Sequence, residues 1–546
     1  MAGEGNPGGN LSTPEGHTGT PSPQESQRGV AGATLTIGSF TLMSRILGFI
    51  RDILIASLLG TSNTADAFFV AFRIPNLFRR LLGEGALSAA FIPVFTQYHL
   101  KSSQEEAQEF LNSAFSFFFT ILIVLLITGE AFTPWLVKIT APGFSRIPAK
   151  MALTVSLTRI TFPYIFFIGL AVLTMALLNA LQRFAIPAFS PVLLNLSMIA
   201  ALLLAYKKPG AVFALAWGVM IGGILQSFLQ AGTIYKMGWR LKPTLSLFHP
   251  GVLETVTLML PSVLGLAVNQ INTFVDTILA SLLPAGSVSY LYYANRLVQF
   301  PLGLFGIALG TAILPTLSRH QTSEDRVSFK ETFTFGLSLV LFITLPALMW
   351  LLIFATPTIS TLFQRSAFTW RAAQATGQAL FCYALGLGSF AMVKVVVPVF
   401  YAKKDMKTPV KVAVITLFLN ILLNLILMIP LKHAGLALAT SIASTFNLFL
   451  LLFILDKRGE GPHWGPLGKA TVRNLPALLG LTAGSLLYSH FLPFHSQQAT
   501  LGKGIWILGA IFQGGALYLL GAWRTRSREL KVLREILFRK AGMEEG

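Results

Sequence analysis

Arg45, Arg51 and Asp52, then Asp66, Arg73, Arg79, Arg80 and Glu84, lie inside two stretches, residues 32–60 and 65–98, that are otherwise strongly apolar. A charge at the centre of a lipid-facing helix costs roughly 2.5–3.5 kcal/mol. These eight residues therefore line a wet cavity or pair with one another. Five are arginines and three are acids, so the set suits reception of an anion. A guanidinium presents donors in a planar fork that matches phosphate or carboxylate oxygens. A pyrophosphate or a polycarboxylate is the expected cargo.

Spacing refines the set. Arg45, Gly48 and Asp52 fall on one helical stripe, with Arg51 beside it. Asp66, Arg73 and Arg80 share a face with Glu84 close by, and Arg79 points away from Arg80 on a straight helix. Asp52 and Glu84 have arginine neighbours with which to pair. Arg45, Arg51 and Arg79 are expected in the cavity, together with Arg296 from a later segment. Arg159 suits a membrane edge, where its head reaches water.

A smaller polar set surrounds Asp276, with Asn269, Gln270 and Asn272 nearby, Asn420 and Asn424 one turn apart, and Thr440. A carboxylate with amide and hydroxyl oxygens suits a monovalent cation such as Na⁺, or a proton on Asp276. Hydrogen bonding between helices is the alternative use of the same residues. No HExxH, GxSxG or Walker loop occurs, the eight histidines are scattered, and one cysteine, Cys382, permits no disulfide within the chain.

The elements that must position these groups are membrane helices. The chain has 546 residues, 53% hydrophobic and 12% charged, with a mean hydropathy of +0.67. Apolar runs of about 20 residues recur along it, the length a helix needs to cross a bilayer. The reading is an all-α polytopic membrane protein with about fourteen spans, near 32–60, 65–98, 110–137, 151–181, 186–206, 211–235, 251–283, 287–318, 331–355, 372–402, 408–430, 433–456, 472–492 and 504–523. Residues 1–30, rich in Gly, Pro, Ser and Thr, read as a disordered tail.

The net charge of +19 fits inner-side loops, not nucleic acid. Lys403, Lys404, Lys407 and Lys411, then Lys457, Arg458, Lys469 and Arg473, and the basic tail at 526–546 place both termini inside. Lys138, Arg146 and Lys150 run against that rule. The tail from Arg526 to Lys540 has Leu530, Leu533, Ile536 and Leu537 at helical spacing. It reads either as an amphipathic helix on anionic lipid or as a solvated tail.

The chain also repeats itself. Residues 52–59, DILIASLL, resemble residues 276–283, DTILASLL, at an offset of 224. Arg73 matches Arg296 at 223, and Pro93 matches Pro315, and Pro187 matches Pro409, at 222. The offset spans six helices, an even number, so the repeats run parallel: 31–237 as an N-lobe and 238–456 as a C-lobe, with the two further spans at 457–525. Parallel repeats of this kind carry substrate between the lobes near the midplane.

The motifs are specific enough to indicate a family. Residues 44–52 (SRILGFIRD), 64–72 (TADAFFVAF), 74–80 (IPNLFRR), 84–86 (EGA), 187–191 (PAFSP), 287–289 (SVS), 292–296 (YYANR) and 407–411 (KTPVK) resemble the MurJ (MviN) family within the MOP exporter superfamily. The resemblance runs from about residue 32 to 525. It implies a fourteen-helix bacterial inner-membrane flippase with a cationic cavity. The implied cargo is lipid II, the undecaprenyl-pyrophosphate-linked peptidoglycan precursor, moved by a single copy of the chain. The last two spans would form a groove for the lipid tail. The family's cavity arginines fall on Arg45, Arg51, Arg79 and Arg296, and an acidic position falls on Asp66; Arg80 and Glu84 stand beside them. Asn295 and Gln299 occupy positions where some relatives carry acids, and coupling to Na⁺ or H⁺ varies in the family. Other readings of the same residues are a flippase for another polyprenyl-linked glycan, a multidrug antiporter, or a membrane polyprenyl-phosphate transferase, which would need acidic metal ligands not evident here.

Overall fold

The computed structural model describes residues 23–83, 85–206, 208–303, 313, 315–319 and 325–541. Among the described residues every regular element is helical. The first lobe comprises α1 (Pro23–Leu59), α2 (Asn63–Gly83), α3 (Ala86–Lys101), α4 (Gln104–Ala131), α5 (Thr133–Thr140), α6 (Pro148–Thr161), α7 (Tyr164–Ala180), α8 (Ala185–Leu204) and α9 (Ala211–Lys236). The second comprises α10 (Pro250–Ser281), α11 (Ser287–Pro301), α12 (Arg326–Phe363), α13 (Trp370–Ala384), α14 (Leu387–Ala402) and α15 (Lys407–Lys457). Helices α16 (Trp464–Phe491), α17 (Thr500–Arg524) and α18 (Arg528–Ala541) follow.

The repeat is visible in where helices break. Phe132 separates α4 from α5, and Phe354, 222 positions on, leaves helical geometry inside α12. Gln182 and Lys404, again 222 apart, both take positive φ, at 58° and 59°. Gly210 and Lys432, also 222 apart, both interrupt helix with positive φ, 86° and 51°, but with different ψ, 14° and −129°. At Lys432 this breaks α15 into two helices just after Pro430. Positive φ strains residues with a Cβ, so its recurrence at Gln182 and Lys404 reflects a shared backbone path.

Packing repeats as well. α1 lies against α8, and α10 against the first part of α15; α2 meets α6, and α11 meets α13. α16 and α17 pack together and onto α12. The lobes join through α3 with α10, α2 with α11, and α1 with α12.

Among the described residues, eight helical segments, with α6 and α7 counted as one, are long and apolar enough to cross a membrane, or nine when the bent pair α13 and α14 is one span. Of the other expected spans, 287–318 runs partly outside the described residues, 408–430 and 433–456 are joined in α15, and 32–60, 65–98 and 472–492 fall on α1, on α2 with α3, and on α16. One core cluster runs through both lobes, from Ile55, Phe68 and Phe72 to Tyr293, Phe363 and Leu380.

Two tail expectations change. α1 begins at Pro23, so residues 23–30, read as disordered, are helical. Gln24 to Arg28 contain no glycine or proline, and a proline at a helix start costs little. Residues 1–22 lie outside the described residues. At the other end α18 is helical, but Leu530 and Leu533 pack against a protein cluster of Phe342, Ala477, Leu481 and Tyr518. Glu529 anchors this helix, bonded by Arg473 Nη2 at 2.8 Å and Ser527 Oγ at 2.7 Å.

Candidate functional site

Asp52 on α1 is the hub of the charged set. Its carboxylate is completely buried and lies between two arginines. Arg51 Nη2 donates to Oδ1 at 2.7 Å and Arg51 Nε donates to the same oxygen at 3.0 Å. Arg296 Nε on α11 lies 2.8 Å from Oδ2. Tyr292 Oη adds a hydrogen bond to Oδ1 at 3.1 Å. Arg51 extends to α8, where Nη1 donates to Asn195 Oδ1 at 2.9 Å. Asn195 Nδ2 in turn donates to the Ser44 carbonyl at 3.0 Å. Two guanidinium groups thus share one carboxylate, and the cluster keeps a net positive charge.

Gly48 makes the crossing possible. A Cβ there would lie 2.7 Å from Arg296 Nη2, so the guanidinium rests on bare backbone. Arg45 is exposed on α1, and its guanidinium lies against Gly303 just beyond α11. Arg79 Nε donates to Asn76 Oδ1 at 2.8 Å one turn back on α2. Arg80 is half-buried on the same helix. Glu84 lies outside the described residues. Arg159 and Lys394 are exposed and stand apart from the Asp52 cluster's hydrogen bonds.

Asp66 has a different role from the one its place in the charged set suggests. It is 1% exposed and saturated by partners. Lys150 Nζ lies 2.8 Å from Oδ2. Gly286 N donates at 2.8 Å, Ser289 N at 3.0 Å and Ser289 Oγ at 2.6 Å. Asp66 therefore caps the N-terminus of α11, where the helix dipole favours a carboxylate. Because α2 and α11 belong to different lobes, this cap is also a clasp. Neighbouring contacts close the same end: Ala367 N donates to the Ser57 carbonyl at 3.0 Å and Tyr293 Oη to the Gly60 carbonyl at 3.3 Å.

The second polar set is partly assembled. Asn424 Nδ2 donates to Asp276 Oδ1 at 2.7 Å and to Asn420 Oδ1 at 2.8 Å. Asn424 Oδ1 is a buried acceptor without a donor among the described residues. Thr440 is not joined to this group by those bonds; its hydroxyl donates to the Leu436 carbonyl at 2.9 Å. Arg73 crosses from α2 to α10, where Nη1 bonds Thr277 Oγ1 and, at 3.3 Å, the Thr273 carbonyl. These residues flank Asp276. No group of three or more His, Cys, Asp or Glu side chains suited to a metal occurs among the described residues.

Residues 55–499 match the family model described as lipid II flippase MurJ. The chain belongs to the MurJ family. It is 39% identical over 488 residues to a probable lipid II flippase MurJ of Buchnera aphidicola subsp. Schizaphis graminum, covering 89% of this chain and 95% of that protein. It is 38% identical over 440 residues to the lipid II flippase MurJ of Burkholderia cenocepacia, covering 79% and 85%. A solved MurJ in an inward closed conformation superposes with a TM-score of 0.76 at 29% identity, over 93% of this chain and 99% of that one. A multidrug MATE transporter of the MOP superfamily, in an inward-facing conformation, shares the fold with a TM-score of 0.65 at 13% identity, over 78% and 97%.

Within this MurJ-family chain, sequence reasoning passed over three partners of the charged groups. Tyr292 and Ser289 lie in the family motifs, but nothing local tied them to Asp52 or Asp66. Asn195 is a lone amide in an apolar helix, and only the α1–α8 contact gives it a role. Lys150 was legible as a positive charge that runs against the inner-side rule, and the structure pairs it with Asp66.

Proposed function

We propose that Arg51 and Arg296, held by Asp52, receive the pyrophosphate of lipid II between the lobes, with Arg45 and Arg79 extending the basic surface. The MurJ family consists of lipid II flippases, so the protein is a transporter and not an enzyme. The single observation that carries the site is the Asp52–Arg296 ion pair joining the two repeats. An anion entering there competes with Asp52 for Arg296, and loading the cavity loosens a bond between lobes. Rocking of the lobes then delivers the headgroup to the other side.

The end clasped by Asp66 is the periplasmic one under this reading, with both termini cytoplasmic. The basic residues Lys403, Lys404, Lys407, Lys411, Lys457 and Arg458 support that orientation by the inner-side rule.

A monovalent cation at Asp276 is the proposed coupling ion. The donor set fits: one carboxylate and two amides, Asn420 and Asn424, the Oδ1 of Asn424 being without a donor among the described residues. The repeat adds a reason. Asp276 corresponds to Asp52, but Val275 stands where Arg51 stands. The first lobe carries its own cation beside the aspartate, and the second leaves that place to be filled. When bound, the ion would neutralise Asp276 and draw α10 and α15 together.

The test is complementation of a flippase-depleted bacterium at normal expression. Arg45→Ala, Arg51→Ala, Arg79→Ala and Arg296→Ala are expected to fail while accumulating in the membrane. Full growth from all four sinks the cationic-cavity reading. Lipid II translocation in proteoliposomes with and without a Na⁺ gradient tests the coupling ion separately.

A further inference from the structure

The two repeats exchange arginines. Arg296 of the second lobe reaches Asp52 of the first. Its counterpart, Arg73 of the first lobe, reaches the segment of α10 that carries Asp276, the counterpart of Asp52. The geometry is related but unequal. Arg296 makes an ion pair. Arg73 is held by Thr277 Oγ1 and the Thr273 carbonyl, one and three residues from Asp276 on α10, and not by the Asp276 carboxylate itself. Asp276 instead accepts from Asn424.

We propose that Arg73 is a tethered cation that competes with a free monovalent cation for Asp276, so that ion binding and contact between the lobes are mutually exclusive at this point. The proposal rests on the cation reading of Asp276. Three observations carry it. First, the repeat equates the Asp52–Arg296 and Asp276–Arg73 positions, and the first pair shows that an arginine from the opposite lobe can engage this aspartate. Second, Arg73 is anchored to side-chain and backbone oxygens of α10, so its charge is presented to Asp276 from across the interface. Third, Val275 offers no cation from within the second lobe, leaving Arg73 and a free ion as rivals for one carboxylate. A cation on Asp276 cancels the attraction of its carboxylate for the guanidinium and weakens the hold of Arg73 on α10. Arg73 in place lowers the affinity of the ion by the same factor, as linkage requires.

The competition is read by thermal unfolding of the purified full-length protein, titrated with sodium chloride at constant ionic strength held by choline chloride. Arg73→Gln should lower the Na⁺ concentration giving half the stabilisation by roughly tenfold, within the usual range of coupling between sites. Thr277→Val removes one anchor of Arg73 at little change in volume and should shift the midpoint in the same direction by less. This second variant keeps the test open if Arg73→Gln does not fold. Arg73→Lys retains the charge and should stay near the parent protein. Asp276→Asn should abolish the Na⁺ response in every background. Equal midpoints for the parent, Arg73→Gln and Thr277→Val, with the response still lost in Asp276→Asn, would keep the cation site and overturn the competition. No response in any protein, or one that survives Asp276→Asn, removes the cation reading and the competition with it.

Discussion

Arg296 Nε lies 2.8 Å from Asp52 Oδ2, and the two residues come from different repeats. Asp52 is fully buried, whereas the Arg296 side chain is 37% exposed. The carboxylate is therefore a fixed part of the first lobe, and the guanidinium is the member that can turn toward cargo. Arg51 stays with Asp52 through two further hydrogen bonds and a third to Asn195. The pair thus has a permanent half and an exchangeable half.

That asymmetry separates stability from transport. Asp52→Ala leaves Arg51 buried without its carboxylate, and losing one member of a buried pair costs about 3–5 kcal/mol. A clear drop in the thermal midpoint of the detergent-solubilised protein is expected. Arg296→Ala removes a partly solvated partner and should cost about 1 kcal/mol or less, yet it should abolish growth support. Comparable losses of stability in both variants would contradict the division of roles.

Gly48 supplies a finer test of the same contact. Gly48→Ala places a methyl 2.7 Å from Arg296 Nη2 and must displace the guanidinium. Gly38 lies earlier on the same helix, where a Cβ would meet nothing within 4 Å. Alanine is the better helix former by up to about 1 kcal/mol, so Gly38→Ala should be neutral or stabilising and fully active. Gly48→Ala should lose translocation while the fold survives. Measured side by side in proteoliposomes, equal activity for the two variants would show that the Arg296 position is not critical.

The Asp66 clasp is best read through its amide donors. Gly286 N and Ser289 N both donate to this carboxylate. Asp66→Ala leaves two buried amides unsatisfied, and each such loss costs about 1–3 kcal/mol. Hydrogen exchange of a peptide spanning residues 282–293 should accelerate by about tenfold or more, which corresponds to 1.4 kcal/mol or greater. Ser289→Ala removes only the hydroxyl contact at 2.6 Å and should produce a smaller change. Unchanged exchange in Asp66→Ala would mean that this end is held closed by other contacts.

Much of the architecture was legible because membrane helices are written in long apolar runs and repeats in fixed offsets. The matched breaks at Phe132 and Phe354, and at Gly210 and Lys432, follow the offset of 222 read from Pro187 and Pro409. Pairing across the lobes was not legible. Asp52 has an adjacent arginine in the chain, so local reading ties it to Arg51; the link to Arg296 depends on how α1 meets α11. Asp66 shows the opposite failure. A buried acid in an arginine-rich segment looks like part of a binding surface, and only its capping of α11 shows that its oxygens are already taken. The Thr440 hydroxyl donates within its own helix, as threonines in apolar helices often do, and its oxygen keeps lone pairs that a cation could use.

Outside the spans, Asp405 gives a prediction with a defined pH window. It sits in the turn between α14 and α15. Burial raises the cost of its charge, but bonds from Thr408 and Arg458 outweigh this and hold its carboxyl down at about 2. Thr408 N donates at 3.0 Å, Thr408 Oγ1 at 2.6 Å and Arg458 Nη1 at 2.8 Å. Because the folded value is depressed, the contribution to stability is full above the ordinary aspartate range, about pH 4. It fades as pH falls from there through about 2. Asp405→Asn should therefore be less stable than the parent at neutral pH, with the gap constant down to about pH 4 and closing below it. Arg458→Gln should reduce the gap at every pH by removing one of the donors. Thermal midpoints of the three proteins across this range check the assignment. A gap that widens on acidification would show that the carboxylate is not the species these donors stabilise.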